Sequence, residues 1–372
     1  MIRIAFVIPT LDQSGAERQL MMLATRLPKD RFQAKVFALN RGGFYADAIQ
    51  AAGVEVEVLQ KQFRFDPLTY IRLKGRLSHF RPQIVQSWLF AANSYVRFPG
   101  VCPAGTRVII SERCVDSWKS RWQLILDRWL SQRMLLMTAN SRSVAAFYEK
   151  AGVPSGRIAV IPNGIDVPQE AVDKSALRQE FGIRSDERVL GFVGRLAPQK
   201  RLKDLIWAFQ LLHQAVDNTR LVIIGDGPER QTLVQLAQHF GCYDKIVFTG
   251  HRSDAYKLMQ GLDVFCLASE FEGMSNSLME AMSLGIPVIA SGIDANRELV
   301  QHEQTGLIFA TGSSPEIAKS AKRLFENPEL AKKLGQAGRE WIRQHHSIDR
   351  MVQAHVALYD RFLLKDSSLC AG

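Results

Sequence analysis

Three carboxylates lie close together in residues 270–282, EFEGMSNSLMEAM, beside a short apolar helix pattern. Glu272 and Glu280 are eight positions apart and follow the predicted strand DVFCLAS. Ionised carboxylates accept hydrogen bonds from hydroxyl groups, such as those of a sugar or a ribose. Ser277, three residues before Glu280, also predicts a capping box at the helix start. Glu280 could therefore cap the helix, bind a ligand or do both. Glu272 has no comparable structural role, so ligand binding is the better interpretation for it.

Two cations follow another predicted strand, in GFVGRLAPQKRLKDLI. Arg195 comes directly after the strand and its glycine, and Lys200 comes five residues later. A planar guanidinium and a compact ammonium at one strand end suit a diphosphate. The alternative is a solvated basic loop. The backbone N–H groups of residues 275–277, at the next helix start, could face the same anion.

A third helix start follows the first strand, in VIPTLDQSGAERQL. Ser14 and Glu17 have the spacing of a second capping box, and Gly15 would allow a ligand to approach the backbone. The start of this helix could hold an anion, although an ordinary helix start has the same pattern.

Several chemistries are disfavoured by the sequence. In IIGDGPER, Arg230 stands where a dinucleotide fingerprint needs its third glycine, which argues against an NAD site. The chain contains no Asp-x-Asp triplet, and its five cysteines form no CxxC pair, so we expect neither a bound metal nor disulfides. The N-terminus resembles a first strand rather than a signal peptide, and no apolar run is long enough to span a membrane. We therefore expect a cytoplasmic protein.

Short apolar strands alternate with amphipathic helices through both halves of the chain. This alternation predicts parallel sheets covered on both faces, and the length of 372 residues predicts two domains. We expect doubly wound α/β domains at 1–166 and 167–349. Ligands of such sheets bind at the carboxyl ends of the strands, so a cleft between two facing domains is the expected site.

The first half of the chain carries the whole excess of positive charge. Residues 1–166 hold 23 Lys and Arg against 12 Asp and Glu, and the remaining residues hold 24 against 25. Such a half favours an anionic partner, such as a membrane surface or a phosphorylated substrate. No nucleic-acid recognition motif accompanies the charge, so nucleic acid is not expected.

A predicted helix in this half, WKSRWQLILDRWLSQRMLL, is both aromatic and basic. Helical spacing places five apolar residues on one face, flanked by basic residues that include Arg121 and Arg128: Trp118, Trp122, Ile125, Trp129 and Leu130. The helix could lie in the interface of an anionic membrane. The competing interpretation, a core helix that packs this face inward, is slightly favoured.

Taken together, the motifs resemble those of the retaining glycosyltransferases of the family-4 type, which have the GT-B fold. The resemblance rests on SGAE, GRLAPQK, IIGDGPER, IVFTG, EFEGMSNSLMEAMSLGIPVIAS and EQTGLIFATG, which occur in the order that the family shows. It covers essentially the whole chain and is most specific in the second half.

The resemblance implies a role for each matching residue. Arg195 and Lys200 would neutralise the diphosphate of a nucleotide-sugar, Glu280 would bind the ribose, and Glu272 would contact a hydroxyl of the donor sugar. Further donor contacts are expected from Gly15, from the backbone amides of Met274, Ser275 and Asn276, and, for the base, from the backbone near Gly250 and Arg252. The last helix, about 350–364, would return to the first domain.

The chain departs from the family pattern at two places. Many relatives have a histidine after the fifth strand, where this chain has Glu112 and Arg113. Arg113 could act as a cation near the leaving phosphate, or Glu112 could turn inward instead. Arg201 replaces a glycine that is frequent in the family, and we expect it to add positive charge beside the phosphates.

The resulting expectation is a metal-independent, retaining hexosyltransferase. It would move a sugar from a UDP- or GDP-linked donor to a glycan or lipid-linked acceptor, in cell-surface polysaccharide or lipopolysaccharide synthesis, with no further cofactor. It could associate with the inner face of the cytoplasmic membrane. The alternatives are a nucleotide-sugar epimerase or isomerase of the same fold, which would need no acceptor, and a non-catalytic nucleotide-sugar-binding protein.

Overall fold

The computed structural model describes residues 1–115, 119–168 and 173–367. The chain forms two compact units. Unit 1 comprises Met1–Gly164 and the C-terminal segment from Ile348, and unit 2 comprises Ile165–Ser347. These boundaries lie two residues from the domain limits expected from the sequence.

Unit 1 contains a seven-stranded sheet in which all the paired strands are parallel, in the order β3-β2-β1-β4-β5-β6-β7. Its strands are β1 (Ile2–Ile8), β2 (Phe32–Ala38), β3 (Glu55–Val58), β4 (Ile84–Trp88), β5 (Arg107–Glu112), β6 (Leu136–Ala139) and β7 (Ile158–Val160). The strand order reverses direction between β1 and β4. In a doubly wound sheet, this is where the crevice at the carboxyl edge opens.

Helices cover both faces of this sheet. They are α1 (Gly15–Arg26), α2 (Ala46–Ala51), α3 (Pro67–Phe80), α4 (Leu89–Arg97), α5 (Arg121–Ser131) and α6 (Arg142–Lys150). Alternate residues of β1 belong to two separate apolar clusters, Ile4 and Phe6 to one and Ala5 and Val7 to the other. Burial on both faces explains why the strands have nearly continuous apolar sequences.

Unit 2 repeats the design with six parallel strands in the order β10-β9-β8-β11-β12-β13. The strands are β8 (Arg188–Val193), β9 (Thr219–Ile224), β10 (Ile246–Gly250), β11 (Val264–Leu267), β12 (Val288–Ser291) and β13 (Leu307–Phe309). The helices are α7 (Ser175–Glu180), α8 (Leu202–Ala215), α9 (Arg230–His239), α10 (Ala255–Met259), α11 (Asn276–Ser283), α12 (Asp294–Leu299), α13 (Ser314–Glu326) and α14 (Pro328–His345).

The last helix, α15 (Ile348–Ser367), belongs to unit 1 although it follows unit 2 in the sequence. Ile348, Met351 and Tyr359 are buried in the cluster that also holds Ile4 and Phe6 of β1. Arg31 and Asp360 form an ion pair at 2.6 Å on the surface. Packing of this apolar face fixes the C-terminal helix to the first unit.

Candidate functional site

Lys200 and Glu272, two of the predicted site residues, form an ion pair in unit 2. The side chains are 15% and 9% exposed, so the pair is largely buried. Ser269, two residues after the end of β11, donates a hydrogen bond of 2.6 Å to the same oxygen, Oε1 of Glu272. Ser269 was not among the predicted site residues, although its position at the end of the predicted strand DVFCLAS was a usable signal. Two donors therefore fix the Glu272 carboxylate at the carboxyl edge of the sheet.

Helix α11 begins beside this pair, but at a different cap from the predicted one. The N-cap is Ser275, whose hydroxyl accepts a hydrogen bond from the backbone N–H of Leu278 at 3.4 Å. The predicted capping box of Ser277 and Glu280 is therefore wrong. Glu280 is the fifth residue of the helix rather than part of its first turn, and it is only 6% exposed. Capping does not explain its position.

The three residues named for backbone contacts lie at this helix start. Met274 precedes the cap, Ser275 is the cap and Asn276 is the first helical residue. An α-helix has unpaired N–H groups and a partial positive charge in its first turn. The end of β11 and the start of α11 therefore bring a carboxylate, a lysine and a helix N-terminus into one stretch of the unit.

Arg195 is exposed and makes no side-chain hydrogen bond or ion pair within the described parts of the chain. Arg201, by contrast, donates to Asp204 at 2.6 Å and lies 3.9 Å from Glu270. Two carboxylates of its own unit therefore partly balance the positive charge of Arg201. Its φ of 51° also explains the frequent glycine in the family, because this left-handed conformation favours glycine.

The glycines after β8 and β9 allow two backbones to meet. A Cβ atom at Gly225 would lie 2.0 Å from the carbonyl oxygen of Gly194, and one at Gly227 would lie 2.4 Å from that of Leu196. Gly250 closes β10 with a φ of 74°, and its carbonyl accepts from the N–H of Gly225 at 3.0 Å. Close packing of the strand ends thus explains why IIGDG contains glycines, and no bound dinucleotide is needed to account for them.

Arg252 binds two carboxylates of its own unit. Its guanidinium donates to Asp254 at 2.7 and 2.8 Å and to Glu180 at 3.0 Å. These charged hydrogen bonds raise the pKa of Arg252 and lower that of Asp254. The side chain is therefore engaged structurally, and a contact of this segment with a nucleotide base would come from its backbone.

Among the described residues, no group of three or more His, Cys, Asp or Glu side chains could hold a metal ion. A search of the same residues found no helix that is long and apolar enough to cross a membrane.

In unit 1, Gly15 is the first residue of α1 and is exposed. Ser14 is the N-cap, but its side chain does not cap the backbone and instead donates to the Glu17 carboxylate. The second predicted capping box is thus replaced by a contact between the two side chains. Burial raises the pKa of Glu17, which is 5% exposed.

Glu112 belongs to a buried polar network rather than to an open site. It accepts a hydrogen bond from Asn93 at 3.0 Å and lies 3.5 Å from the buried amine of Lys119. Lys119 also binds Asp127 at 2.9 Å, and Asp127 pairs with the fully buried Arg97 at 2.5 Å. No local sequence pattern predicts this network, because its bonded pairs are up to 30 residues apart in the chain.

Arg113, the other residue at the family's histidine position, is 9% exposed. Its guanidinium carbon lies 3.9 Å from the ring centroid of Trp88, and its Nη1 donates to Asn163 at 3.1 Å. Its Nε and Nη2 are buried and have no hydrogen-bond partner in the described chain. Burial lowers the pKa of Arg113 to about 9, so the side chain keeps its charge at neutral pH.

Helix α5 turns its aromatic face outward, contrary to the favoured prediction of a core helix. Trp122, Ile125 and Trp129 are 44%, 68% and 49% exposed. The buried face instead carries Asp127, held by Lys119 and Arg97, together with three further residues: Gln123, Leu130 and Ser131. Trp118 lies outside the described residues, and the side chain of Arg121 is not described. The ion pairs decide which side of the helix faces the unit.

The exposed face of α5 continues into the loop before α3. Phe65 contacts Trp122 with a centroid distance of 6.3 Å, and Arg64 lies 5.4 Å from the Trp122 ring centroid. Arg133 lies 4.2 Å from the centroid of Trp129. We call this set the α5 surface: Arg64, Phe65, Trp122, Ile125, Arg128, Trp129 and Arg133.

Comparison with known proteins agrees with the two-unit design. The model for glycosyl transferases group 1 matches residues 173–341, and the model for glycosyltransferase family 4 matches residues 13–169. The 2-deoxystreptamine glucosyltransferase of Streptomyces kanamyceticus is 28% identical over 93% of this chain and 90% of its own length. The lipopolysaccharide core biosynthesis glycosyltransferase LpsD of Rhizobium meliloti is 31% identical over 50% of this chain and 54% of its own.

A solved structure shares the fold over nearly the whole chain. The Anabaena protein HepE, crystallised with UDP-glucose, superposes with a TM-score of 0.85 over 97% of this chain and 100% of that one, at 22% identity. The matched models, the two parallel sheets and this superposition agree. The chain belongs to the family-4-type glycosyltransferases, which have the GT-B fold.

Proposed function

We propose that the protein transfers a hexose, with retained configuration and without a metal, from a UDP- or GDP-sugar to a glycan or lipid-linked acceptor. One observation carries this proposal: the buried Lys200–Glu272 ion pair beside the start of α11. The pair holds an ammonium next to a helix N-terminus, and the two together suit a departing diphosphate.

In the proposed reaction, the bond between the anomeric carbon and the β-phosphate oxygen breaks. A bond from the acceptor hydroxyl forms on the same face, and the hydroxyl proton passes to the departing diphosphate. Negative charge therefore grows on the phosphate in the transition state. Lys200 and the exposed Arg195 would stabilise this charge more than they stabilise the bound donor, which is the condition for faster chemistry.

The two glutamates have separate proposed roles. Glu272 orients Lys200 and would accept a hydrogen bond from a hydroxyl of the donor sugar. Glu280, buried and not a cap, would accept from the ribose. Gly15, at the start of α1, stays a predicted phosphate contact, and the backbone near Gly250 stays a predicted base contact. None of these assignments requires a covalent intermediate.

The relatives support a nucleotide-sugar donor without fixing the acceptor. HepE was crystallised with UDP-glucose, which favours UDP among the two expected nucleotides. One relative is named for 2-deoxystreptamine and another for lipopolysaccharide core biosynthesis. A lipid-linked acceptor fits this chain best for two reasons. The α5 surface exposes aromatic and basic side chains, and residues 1–166 contain 23 Lys and Arg but only 12 Asp and Glu.

We further propose that the α5 surface docks on an anionic membrane. Exposed tryptophans with neighbouring arginines are typical of segments that lie in a lipid interface. Asp127, the one acid of α5, is buried, so no carboxylate of this helix faces outward. This location would bring the enzyme to an acceptor embedded in the membrane.

The test combines binding with product analysis. The purified protein is screened by thermal shift against UDP-, GDP-, ADP- and dTDP-sugars, each with EDTA present. A donor at about 100 times its Kd adds about 2.7 kcal/mol of stability. Release of nucleoside diphosphate with the best donor, and the anomeric configuration of the product by NMR, then follow. Conversion of the donor sugar without loss of the diphosphate would instead indicate an epimerase.

A further inference from the structure

Arg113 presents a buried edge suited to an anion. In a guanidinium, the Nε–H and one Nη2–H bond point in the same direction and bind both oxygens of a carboxylate. These are the two nitrogens of Arg113 that lack a partner among the described residues. The other nitrogen, Nη1, is occupied by Asn163, and the flat face of the group is occupied by Trp88. Asn163 and Trp88 thus hold the guanidinium in place, and its Nε and Nη2 remain available to a ligand.

Arg113 has no ion-pair partner of its own among the described residues. Glu112 attracts its charge, but this carboxylate also lies 3.5 Å from the amine of Lys119 and accepts a hydrogen bond from Asn93. His355 and Tyr359 of α15, which interact electrostatically with Arg113, are both neutral at pH 7. Burial lowers the pKa of His355 to about 3 and raises that of Tyr359. An unpaired buried cation is costly, so an anion that binds here would gain from neutralising it.

Two neighbouring groups could form hydrogen bonds with other polar atoms of the same ligand. The indole Nε1 of Trp88 is a buried donor without a partner in the described chain, and Oδ1 of Asn140 is such an acceptor. Asn140 also donates to the backbone oxygen of Arg113 at 3.1 Å, which keeps it beside the arginine. Trp88 is the last residue of β4, and Arg113 and Asn140 directly follow β5 and β6, so all three lie at the carboxyl edge where such sheets bind ligands.

We infer that Arg113 recognises a carboxylate on a sugar substrate, so that the enzyme acts on an acidic saccharide. A carboxylate is planar and carries a single charge, as does this lone guanidinium. A diphosphate would call for more than one cation, and the other buried cations nearby, Arg97 and Lys119, are paired with Asp127. The inference rests on the proposed function. The carboxylate could belong to the transferred sugar or to the acceptor.

The experiment compares acidic and neutral substrates on the full-length protein. In the donor arm, diphosphate release is measured for UDP-glucuronic acid against UDP-glucose and for GDP-mannuronic acid against GDP-mannose. In the acceptor arm, methyl glucuronide is compared with methyl glucoside, using the best donor. We expect a preference of about 10- to 100-fold in kcat/KM for the acid in one arm, because a hydrogen bond to a charged group contributes this much.

Three variants test whether Arg113 causes the preference. Arg113→His keeps a planar group against Trp88 but is mostly neutral at pH 8, so it should remove the preference while the neutral sugar is still used. Arg113→Lys keeps the charge without the paired donors and should retain part of the preference. Arg31→Lys, on the surface of the same unit, should leave it unchanged.

Two results would overturn the inference while leaving the proposed function intact. One is equal use of acidic and neutral substrates in both arms, and the other is an unchanged preference in Arg113→His. If the variants do not fold, a crystal structure of the wild type with the preferred acid decides. A carboxylate on Nε and Nη2 supports the inference, and water alone on these atoms refutes it. Absence of diphosphate release from every donor would instead refute the proposed function.

Discussion

At the scale of single residues, the Lys200–Glu272 pair makes a prediction about stability as well as activity. Lys200→Met leaves a carboxylate that is 9% exposed without its cation, so unit 2 should lose about 3 kcal/mol of unfolding free energy. The double variant Lys200→Met/Glu272→Gln should recover part of this loss, because glutamine can still accept from Ser269. Urea unfolding measures both.

A matched control lies three residues away, in the first turn of α8. Lys203 pairs with Glu229 at 3.4 Å but is 54% exposed, so Lys203→Met should cost less than about 1 kcal/mol. Lys200→Met should also slow diphosphate release by about 10²- to 10³-fold, as the loss of a preorganised donor does. Equal losses of stability in the two lysine variants would show that the Lys200–Glu272 pair is not effectively buried.

The conformation of Arg201 yields a second prediction at this scale. Its φ of 51° costs a side-chain-bearing residue about 1 kcal/mol relative to glycine. Both Arg201→Gly and Arg201→Ala lose the partly exposed pair with Asp204, but only glycine relieves the backbone. We expect Arg201→Gly to exceed Arg201→Ala in thermal stability by about 1 kcal/mol. The reverse order would mean that the backbone is not strained there.

At the scale of elements, the orientation of α5 determines a prediction about membranes. The triple variant Trp122→Ser/Ile125→Ser/Trp129→Ser removes three exposed apolar side chains and should lose at least about tenfold in binding to anionic vesicles. Cosedimentation with phosphatidylglycerol vesicles measures this binding, and 0.5 M NaCl should weaken that of the wild type. Trp207→Ser, an exposed tryptophan of unit 2 at 42%, is the matched control.

Two outcomes would contradict membrane docking by α5. One is equal binding of the wild type to phosphatidylcholine and phosphatidylglycerol vesicles, and the other is undiminished binding of the triple variant. Because each replaced residue is at least 44% exposed, the triple variant should lose no more than about 1.5 kcal/mol of unfolding free energy, about 0.5 kcal/mol for each substitution. Loss of binding would then report on the surface rather than on the fold.

At the scale of the whole molecule, α15 makes the first unit discontinuous in sequence. Ile348, Met351 and Tyr359 fill the cluster that β1 and α1 also form, so a fragment ending at Gly164 lacks part of its core. We expect fragment 1–164 to be insoluble or molten, and fragment 165–347 to fold cooperatively by itself. Circular dichroism and urea unfolding of the two fragments measure this.

A linked fragment provides the control. Joining residues 348–367 to residue 164 through a flexible linker should restore a cooperative transition to unit 1, because the core is then complete. A cooperative transition in fragment 1–164 alone would show that α15 is an accessory to this unit rather than part of its core.

The sequence by itself determined the class of the fold and the family, and it predicts the stretches proposed to carry chemistry. Alternating apolar strands and helices predict parallel sheets, because both patterns are local and follow from the burial of each element. The proposed site residues Arg195, Lys200, Glu272 and Glu280 are all predicted from their positions after strands. These inferences needed no knowledge of contacts between distant residues.

Only the tertiary structure decided how individual side chains are used. The capping serine is Ser275 rather than Ser277, because β11 and its loop set where α11 can begin. The aromatic face of α5 points outward, because Asp127 is bound from the other side by Arg97, 30 residues away, and by Lys119. Arg113 is buried against Trp88, 25 positions earlier in the chain, which β4 brings beside it. Each of these outcomes depends on contacts between residues that are distant in the sequence and meet only after folding. A local sequence pattern therefore cannot predict them.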